Sequence, residues 1–336
     1  MIKENVFYID KLKNVVFIGE HNCLEQFIKI NKSLNLKTKI ITSPDQSHLI
    51  NKKIEFEIFK NLNKDFEKFI AKNFNIKETL FISIRSRWIF KKKKIKDFFK
   101  FNLINYHPGR LPMYAGRSVH SWQIMNEDRI DCQLFHLIDN DHNIDGGPII
   151  FYEKSILPKE CRLPIDLQNY CNEKIVLLYR NFIQLLNKKK QFFLNHQSSY
   201  LGSYYPGLYT KNNGWIDWNT NSTQLARFID AFDDPYLGAS TMINNQKVHL
   251  KKTHLHGGEL SNHPYMSGIV TRHDVNWIVV STSDENSLLI EVVLNEKKEN
   301  ILKKIKSGDR FYTPPDKILL SKSYRPKYGP EGLKNK

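Results

Sequence analysis

Two patterns of apolar positions divide this chain. Over the first hundred residues, short apolar runs alternate with segments whose apolar residues recur at helical spacing. NVVFIGE (14–20), KTKIITSP (37–44), FEIF (56–59), TLFISIRS (79–86) and FNLINYHP (101–108) read as buried strands, with helices over 23–34, 65–74 and 89–99. Such alternation predicts an α/β fold with a doubly wound, mostly parallel sheet. A helix over SVHSWQIM (118–125), strands over DCQLFHLID (131–139) and GPIIFYEKSI (147–156), and a helix over 164–188 continue it. The character then changes. Residues 195–218 are polar, aromatic and glycine-bearing, without a period, and read as a linker. After one helical piece (222–232), short runs follow: KVHLKK (247–252), GIVTRH (268–273), NWIVVST (276–282) and SLLIEVVL (287–294). Glycine, asparagine and aspartate punctuate them, which predicts a small β-barrel or sandwich. The expected division is a first domain at 1–195, a linker at 196–215, a barrel domain at 216–320 and a tail at 321–336.

The length of 336 residues suits two domains, and a hydrophobic content of 40% is enough for packed cores. Lysine and arginine number 51 against 35 acidic residues, a net charge of +16. That excess is read first as lysine-rich solvated faces, and second as a sign of an acidic partner such as nucleic acid, a nucleotide-linked substrate, a polyanionic cofactor or a membrane surface. The run Lys91-Lys92-Lys93-Lys94 reads as an exposed helix start. Cys23, Cys132, Cys161 and Cys171 are scattered and form no C-x-x-C pair, so no disulfide framework is expected. The amino terminus lacks the apolar run of a signal peptide, and no segment reaches the roughly 20 apolar residues of a membrane span. A reducing, cytoplasmic setting is the expectation, with no membrane partner. There is neither a G-x-G-x-x-G nor a P-loop, so a dinucleotide or nucleoside-triphosphate site is not expected.

The stretch INYHPGRLPMYAGRSVHSWQIM (104–125) carries the first candidate chemistry. Ligands of open parallel sheets bind beyond the carboxyl ends of the strands. Asn105 and His107 stand at such an end, two apart and so on one face. Pro108, Gly109, Pro112 and Gly116 stiffen the loop that follows. An amide and an imidazole side by side on a rigid element can hydrogen-bond a developing oxyanion. The second stretch, CQLFHLIDNDHNIDGGPII (132–150), ends a strand in an acidic loop and a tight glycine turn after Asp145. A carboxylate there can orient an imidazole and relay a proton. His107, His120, His136 and His142 are also conceivable zinc ligands, but their spacing matches no zinc signature, and no metal is expected.

Together, Asn105-Tyr106-His107-Pro108, Leu111-Pro112, Gly116 and Asp145-Gly146-Gly147-Pro148 resemble the folate-dependent formyltransferases. That family acts on glycinamide ribonucleotide, methionyl-tRNA or amino sugars. Its pattern is N-x-H-P/A, an L-P loop and D-x-G-x, in this order. The resemblance implies a Rossmann-like domain that binds 10-formyltetrahydrofolate. Ile216-Asp217-Trp218, Asp234-Pro235-Tyr236 and Gly238-Ala239 are similar to the start of the carboxy-terminal domain of methionyl-tRNA formyltransferase, a small open, OB-like barrel. The likeness spans most of 14–312.

Carried over, it implies Asn105, His107 and Asp145 as catalytic residues. Asn105 and protonated His107 would stabilise the tetrahedral oxyanion, and Asp145 would orient His107 and help move the amine proton. Ile84, Arg85, Ser86, Arg87, Leu111, Ile138, Asp139, Asp141 and Ile144 would form the folate pocket. Arg110, Tyr114 and Arg117 would meet the acceptor; the two arginines read equally as exposed loop residues. The acceptor expected is a nucleoside-diphosphate amino dideoxysugar for surface polysaccharide such as lipopolysaccharide O-antigen. The tRNA enzyme usually has G-T-P-x-F where this chain has Gly19-Glu20-His21-Asn22, S-L-L-P where it has Gly109-Arg110-Leu111-Pro112, and arginine at Asp230. Methionyl-tRNA is the alternative acceptor, and a non-catalytic folate or nucleotide-sugar binder a third reading, disfavoured by the intact trio. A homodimer is implied by the resemblance alone. Tyr204, Tyr205, Tyr209, Trp215 and Trp218 are read as interdomain packing in preference to base stacking.

Overall fold

The computed structural model describes residues 5–139, 144–257 and 262–334. Five parallel strands, β1 (Asn14–Gly19), β2 (Lys37–Thr42), β3 (Phe56–Ile58), β4 (Thr79–Ile84) and β5 (Leu103–Pro108), are joined by two antiparallel ones, β6 (Ile130–Leu137) and β7 (Ile149–Ile156). Their order across the seven-stranded sheet is β3-β2-β1-β4-β5-β6-β7. Every residue of β1 and β4 is buried because both faces of the sheet are covered. Val15 and Phe17 point to one side and pack with α1 (Leu24–Ser33) and α5 (Pro164–Asn187), while Val16 and Ile18 pack with α2 (Lys64–Asn73) and α3 (Lys92–Asp97) on the other. The strand order reverses between β1 and β4, which opens a crevice at their carboxyl ends.

The second sheet is antiparallel throughout. Its strands are β8 (Ala239–Ile243), β9 (Gln246–Gly257), β10 (Val270–His273), β11 (Ile278–Ser281), β12 (Asn286–Asn295) and β13 (Phe311–Tyr312), in the order β10-β11-β12-β9-β8-β13. A bridge between Ile269 and Arg310 brings its edges together, so the sheet curls into a partly open barrel. Helix α6 (Ser222–Ala231) plugs it with Leu225 and Ile229. Ile124 and Met125 of α4 (Val119–Asn126) pack against this barrel core, and Ser121 Oγ donates to the Ala231 carbonyl at 2.9 Å.

The aperiodic segment before the barrel is more ordered than its composition implies. Tyr204 and Tyr205 form a parallel pair with Ala115 and Gly116, which ties it to the loop after β5. Tyr205 stacks on Tyr114 and lies 5.2 Å from Trp122, and Trp218 stacks on Phe311 inside the barrel, as packing aromatics do. Strand β8, absent from the expected elements, is the piece that the Asp-Asp-Pro turn hands into the barrel. After α7 (Pro315–Ser323) the chain returns to the first domain, where the Asp45 N–H donates to the Pro330 carbonyl at 3.2 Å.

Buried His249 in β9 couples the barrel's stability to pH. Burial, helped by Lys247, pushes its pKa down to about 4, and its Nδ1 lies 3.1 Å from Ser240 Oγ. The unfolded chain takes up this proton near the ordinary histidine value and the folded chain does not, so stability falls as pH drops from about 6.5 to 4. Urea unfolding should show His249→Gln flattening that slope by up to about 1.4 kcal/mol per pH unit; an unchanged slope would contradict it.

Candidate active site

Strand β5 supplies two neighbouring polar side chains on one face, with Tyr106 between them turned into the apolar core. In the antiparallel register Asn105 faces His136 of β6. His107 is 4% exposed. Its Nε2 lies 2.7 Å from the Tyr114 carbonyl, which can only accept, so Nε2 carries a proton. Nδ1 then points at Asp145 Oδ2, 3.7 Å away. That is longer than a hydrogen bond and short enough for strong charge coupling. Orientation of the ring therefore comes from the loop carbonyl, and Asp145 faces a nitrogen able to take up a proton.

Asp145 sits in the loop between β6 and β7 with φ of 60°, a left-handed conformation that aspartate tolerates. Its Oδ2 accepts from the Gly116 N–H at 2.9 Å. Its Oδ1 lies 3.4 Å from Asn105 Nδ2 and 3.5 Å from His136 Nε2. Gln197 Nε2 donates to the carbonyls of Asp145 and Gly147 at 2.8 and 2.6 Å, which clamps the turn. Two glycines make this packing feasible. A Cβ on Gly147 would meet the Leu137 carbonyl oxygen at 1.9 Å, and one on Gly116 would meet that of Tyr205 at 2.0 Å.

Burial alone would raise the Asp145 carboxyl; the His107 and His136 imidazoles and the Gly116 N–H outweigh it and hold it well below the usual carboxylate range. Burial lowers the His107 pKa, against the pull of Asp145 and with the added push of His136. At neutral pH the resting site thus pairs a carboxylate with a neutral imidazole. The protonated His107 that the resemblance implies has to arise during the reaction.

His136, which the sequence offers only as a conceivable metal ligand, completes the cluster. Its Nε2 accepts from Asn105 Nδ2 at 3.0 Å, while its Nδ1 lies 3.1 Å from the Leu137 carbonyl. The signal was present: a histidine within the apolar strand QLFHLI has to find polar partners when buried. Its cross-strand pairing with Asn105 could not be read from that run.

Around this cluster the other expected residues fall unevenly. Ile84 ends β4, and its carbonyl accepts from the Glu20 N–H at 3.1 Å. Arg85, at φ 48°, lies 3.6 Å from the Glu20 carboxylate, and its carbonyl accepts from Gln46 Nε2 at 2.8 Å. Ser86 Oγ accepts from the Trp88 N–H, and Arg87 Nε donates to Asp45 at 2.7 Å. Ile138 packs on the same apolar cluster as Trp88, and β4 and β6 pair with β5 on its two sides, so 84–88 and the end of β6 lie on either side of Asn105 at the strand ends. Asp139 follows Ile138, and Ile144, adjoining Asp145, is 55% exposed. Asp141 and His142 lie outside the described residues. Strand-end backbone beside apolar side chains, with Arg85 exposed next to it, suits a flat pterin ring and the anionic end of a folate. Leu111 packs beneath the loop against Cys132, Leu134 and Ile149 and shapes the wall from behind. Arg110 Nη2 is paired with Asp128, while Tyr114 presents its carbonyl to His107 and stacks its ring on Tyr205. Arg117 follows Gly116 and has no carboxylate at ion-pair distance among the described residues. No group of three candidate ligands is arranged to hold a metal ion among them, and none of their helices is long and apolar enough to cross a membrane.

Comparison with known proteins agrees with this architecture. Residues 209–309 match the family described as Formyl transferase, C-terminal domain. Methionyl-tRNA formyltransferase of Syntrophus aciditrophicus is 30% identical over 157 residues, 46% of this chain and about half (48%) of that protein's length. The Prochlorococcus marinus enzyme of the same name is 24% identical over 303 residues, 86% of this chain and 90% of the relative. Among solved structures, an N-formyltransferase from Helicobacter canadensis in complex with folinic acid and dTDP-3-aminofucose superposes with a TM-score of 0.61 at 17% identity, covering 83% of this chain and 99% of the other. Residues 209–309 thus match the carboxy-terminal domain of the formyl transferases, and over most of its length the chain is similar to methionyl-tRNA formyltransferase, a folate-dependent formyltransferase.

Proposed function

We propose that this protein transfers the formyl group of 10-formyltetrahydrofolate to the amine of a nucleoside-diphosphate amino sugar, in the building of a surface polysaccharide. The observation that carries the chemistry is the ionised Asp145 facing an unprotonated His107 Nδ1, with the Asn105 amide alongside. The folate supplies the formyl carbon. The acceptor amine attacks that carbon, a C–N bond forms, and negative charge moves to the carbonyl oxygen. Asn105 Nδ2 exchanges its long contact with Asp145 for this oxygen, a donor worth roughly 3–4 kcal/mol of barrier. The proton released by the amine passes to His107 Nδ1, where Asp145 stabilises the imidazolium, and then to the departing folate nitrogen as its bond to the formyl carbon breaks.

Two features support a nucleotide sugar as acceptor. The strand-end sequence Gly19-Glu20-His21-Asn22 departs from the tRNA enzyme's loop, with His21 buried against Tyr106. Arg117, one residue from Gly116, is better suited to a diphosphate than Arg110, whose charge is taken by Asp128. The fold neighbour described with dTDP-3-aminofucose agrees with this choice. The second reading, methionyl-tRNA formyltransferase, is favoured by the curated relatives and by the carboxy-terminal domain they share. Acceptance of tRNA would show a steep loss with salt, which a nucleotide sugar would not.

Formyl transfer to amino sugars on thymidine, guanosine and uridine diphosphates should exceed transfer to charged initiator tRNA. Asn105→Ala should lower kcat about 10²–10³-fold, and His107→Ala and Asp145→Ala at least as much. Transfer to tRNA alone would overturn the acceptor, and full activity in these variants would overturn the site. For the wild type, kcat/KM should fall only on the acid side of pH 6.5, because the His107 pKa is depressed and the ring must be neutral to receive the proton; an acid limb centred above 6.5 would contradict that role. His136→Phe removes the nearer of the two acceptors of Asn105 Nδ2 and leaves it only the long contact to Asp145, so urea unfolding should show a loss of about 1–3 kcal/mol and the assay a lower kcat. Unchanged stability and kcat would remove His136 from the cluster.

A further inference from the structure

The chain beyond α7 lies outside the segment matched by the family's carboxy-terminal domain and returns to the mouth of the crevice. It is pinned at both ends. Tyr324 lies against Tyr209, with ring centroids 6.4 Å apart. Past the small hairpin that pairs Tyr328–Gly329 with Gly332–Leu333, the Pro330 carbonyl accepts from the Asp45 N–H, and Glu331 pairs with Lys60 at 3.1 Å. Between these pins the Tyr328 ring lies 4.6 Å from the Arg87 guanidinium carbon and 5.3 Å from that of Arg117.

This arrangement needs an explanation. Two like charges converge on one ring, yet only Arg87 has a carboxylate partner, Asp45. Arg117 is largely buried without one among the described residues, and its neighbour Gly116 holds the catalytic carboxylate. A ring face can hold two guanidiniums side by side but cannot neutralise them, which leaves their N–H edges for an anion.

We propose that Tyr328 is a specificity-determining residue: from the carboxy-terminal hairpin it holds Arg87 and Arg117 together as a docking site for the anionic part of a ligand, one residue away from the Asp145 contact. That part is either the diphosphate of the acceptor, which follows from the function proposed above, or the carboxylates of the folate.

The test is calorimetric binding of thymidine diphosphate and of folinic acid to the full chain, to Tyr328→Ala, to Tyr328→Phe and to a chain ending at Arg325. Thermal unfolding of each establishes that it is folded. Tyr328→Ala and the shortened chain should bind one of the two probes about tenfold more weakly, while Tyr328→Phe, which keeps the ring, stays within about twofold of the wild type. Weaker thymidine diphosphate binding identifies the acceptor's phosphates as the occupant, and weaker folinic acid binding identifies the folate's carboxylates. Equal binding of both probes by all four proteins overturns the proposal, as does equal weakening by the Ala and Phe variants. Neither probe turns over, so a failure of formyl transfer to nucleotide sugars would sink the acceptor reading and leave this measurement standing.

Discussion

An ionised carboxylate that is almost fully buried must be surrounded by donors, and in this protein the burden falls on Asp145. No lysine or arginine lies at ion-pair distance from it among the described residues. Its charge is met instead by one backbone N–H from the loop after β5 and the Asn105 amide of β5, with the imidazoles of His107 and His136 3.7 and 3.5 Å away. That choice has a chemical consequence. A cation would lock the carboxylate into a permanent pair, whereas an uncharged ring at 3.7 Å leaves it free to favour a proton arriving on that ring.

Much of the surrounding architecture can be understood as support for this one group. Gly147 permits the close approach of the Leu137 carbonyl, Gln197 clamps the turn, and Gly116 lets the Tyr205 backbone pass close enough to pair with the loop. The segment between the two sheets therefore supports the candidate site as well as connecting the sheets. It fixes the Gly116 N–H on one side while Tyr205 packs against Tyr114, whose carbonyl sets the His107 tautomer. The site's proton inventory thus depends on residues about ninety positions further along the chain.

The same logic extends to the rim. Of the guanidiniums of Arg85, Arg87 and Arg117, two lie beside the acids Glu20 and Asp45 and two share the Tyr328 ring. The barrel, the connecting segment and the last hairpin all return to the first domain. The match to the formyl transferase carboxy-terminal domain covers the barrel, while the hairpin that carries Tyr328 lies beyond the matched segment.

How much of this was legible beforehand varied with the range of the interaction. Apolar runs in β1, β4 and β5 announced a two-sided parallel sheet, because such strands are explicable only when both faces are covered. Asn105, His107 and Asp145 were legible as candidates because a strand end and a glycine turn are local features, and their order matches a family pattern. Strand β8 and the Tyr204–Tyr205 pairing were not, since each takes its form from a partner distant in the chain. His136 stood in plain view inside an apolar strand, but its partner is set by an antiparallel register that no local pattern encodes. Residue types and spacing by themselves determined the layered fold and the candidate site residues. The tertiary structure alone decided which nitrogen of His107 faces Asp145, which arginines keep carboxylate partners, and that the last hairpin reaches the crevice. Each of those depends on through-space distances of a few ångströms between residues far apart in the chain.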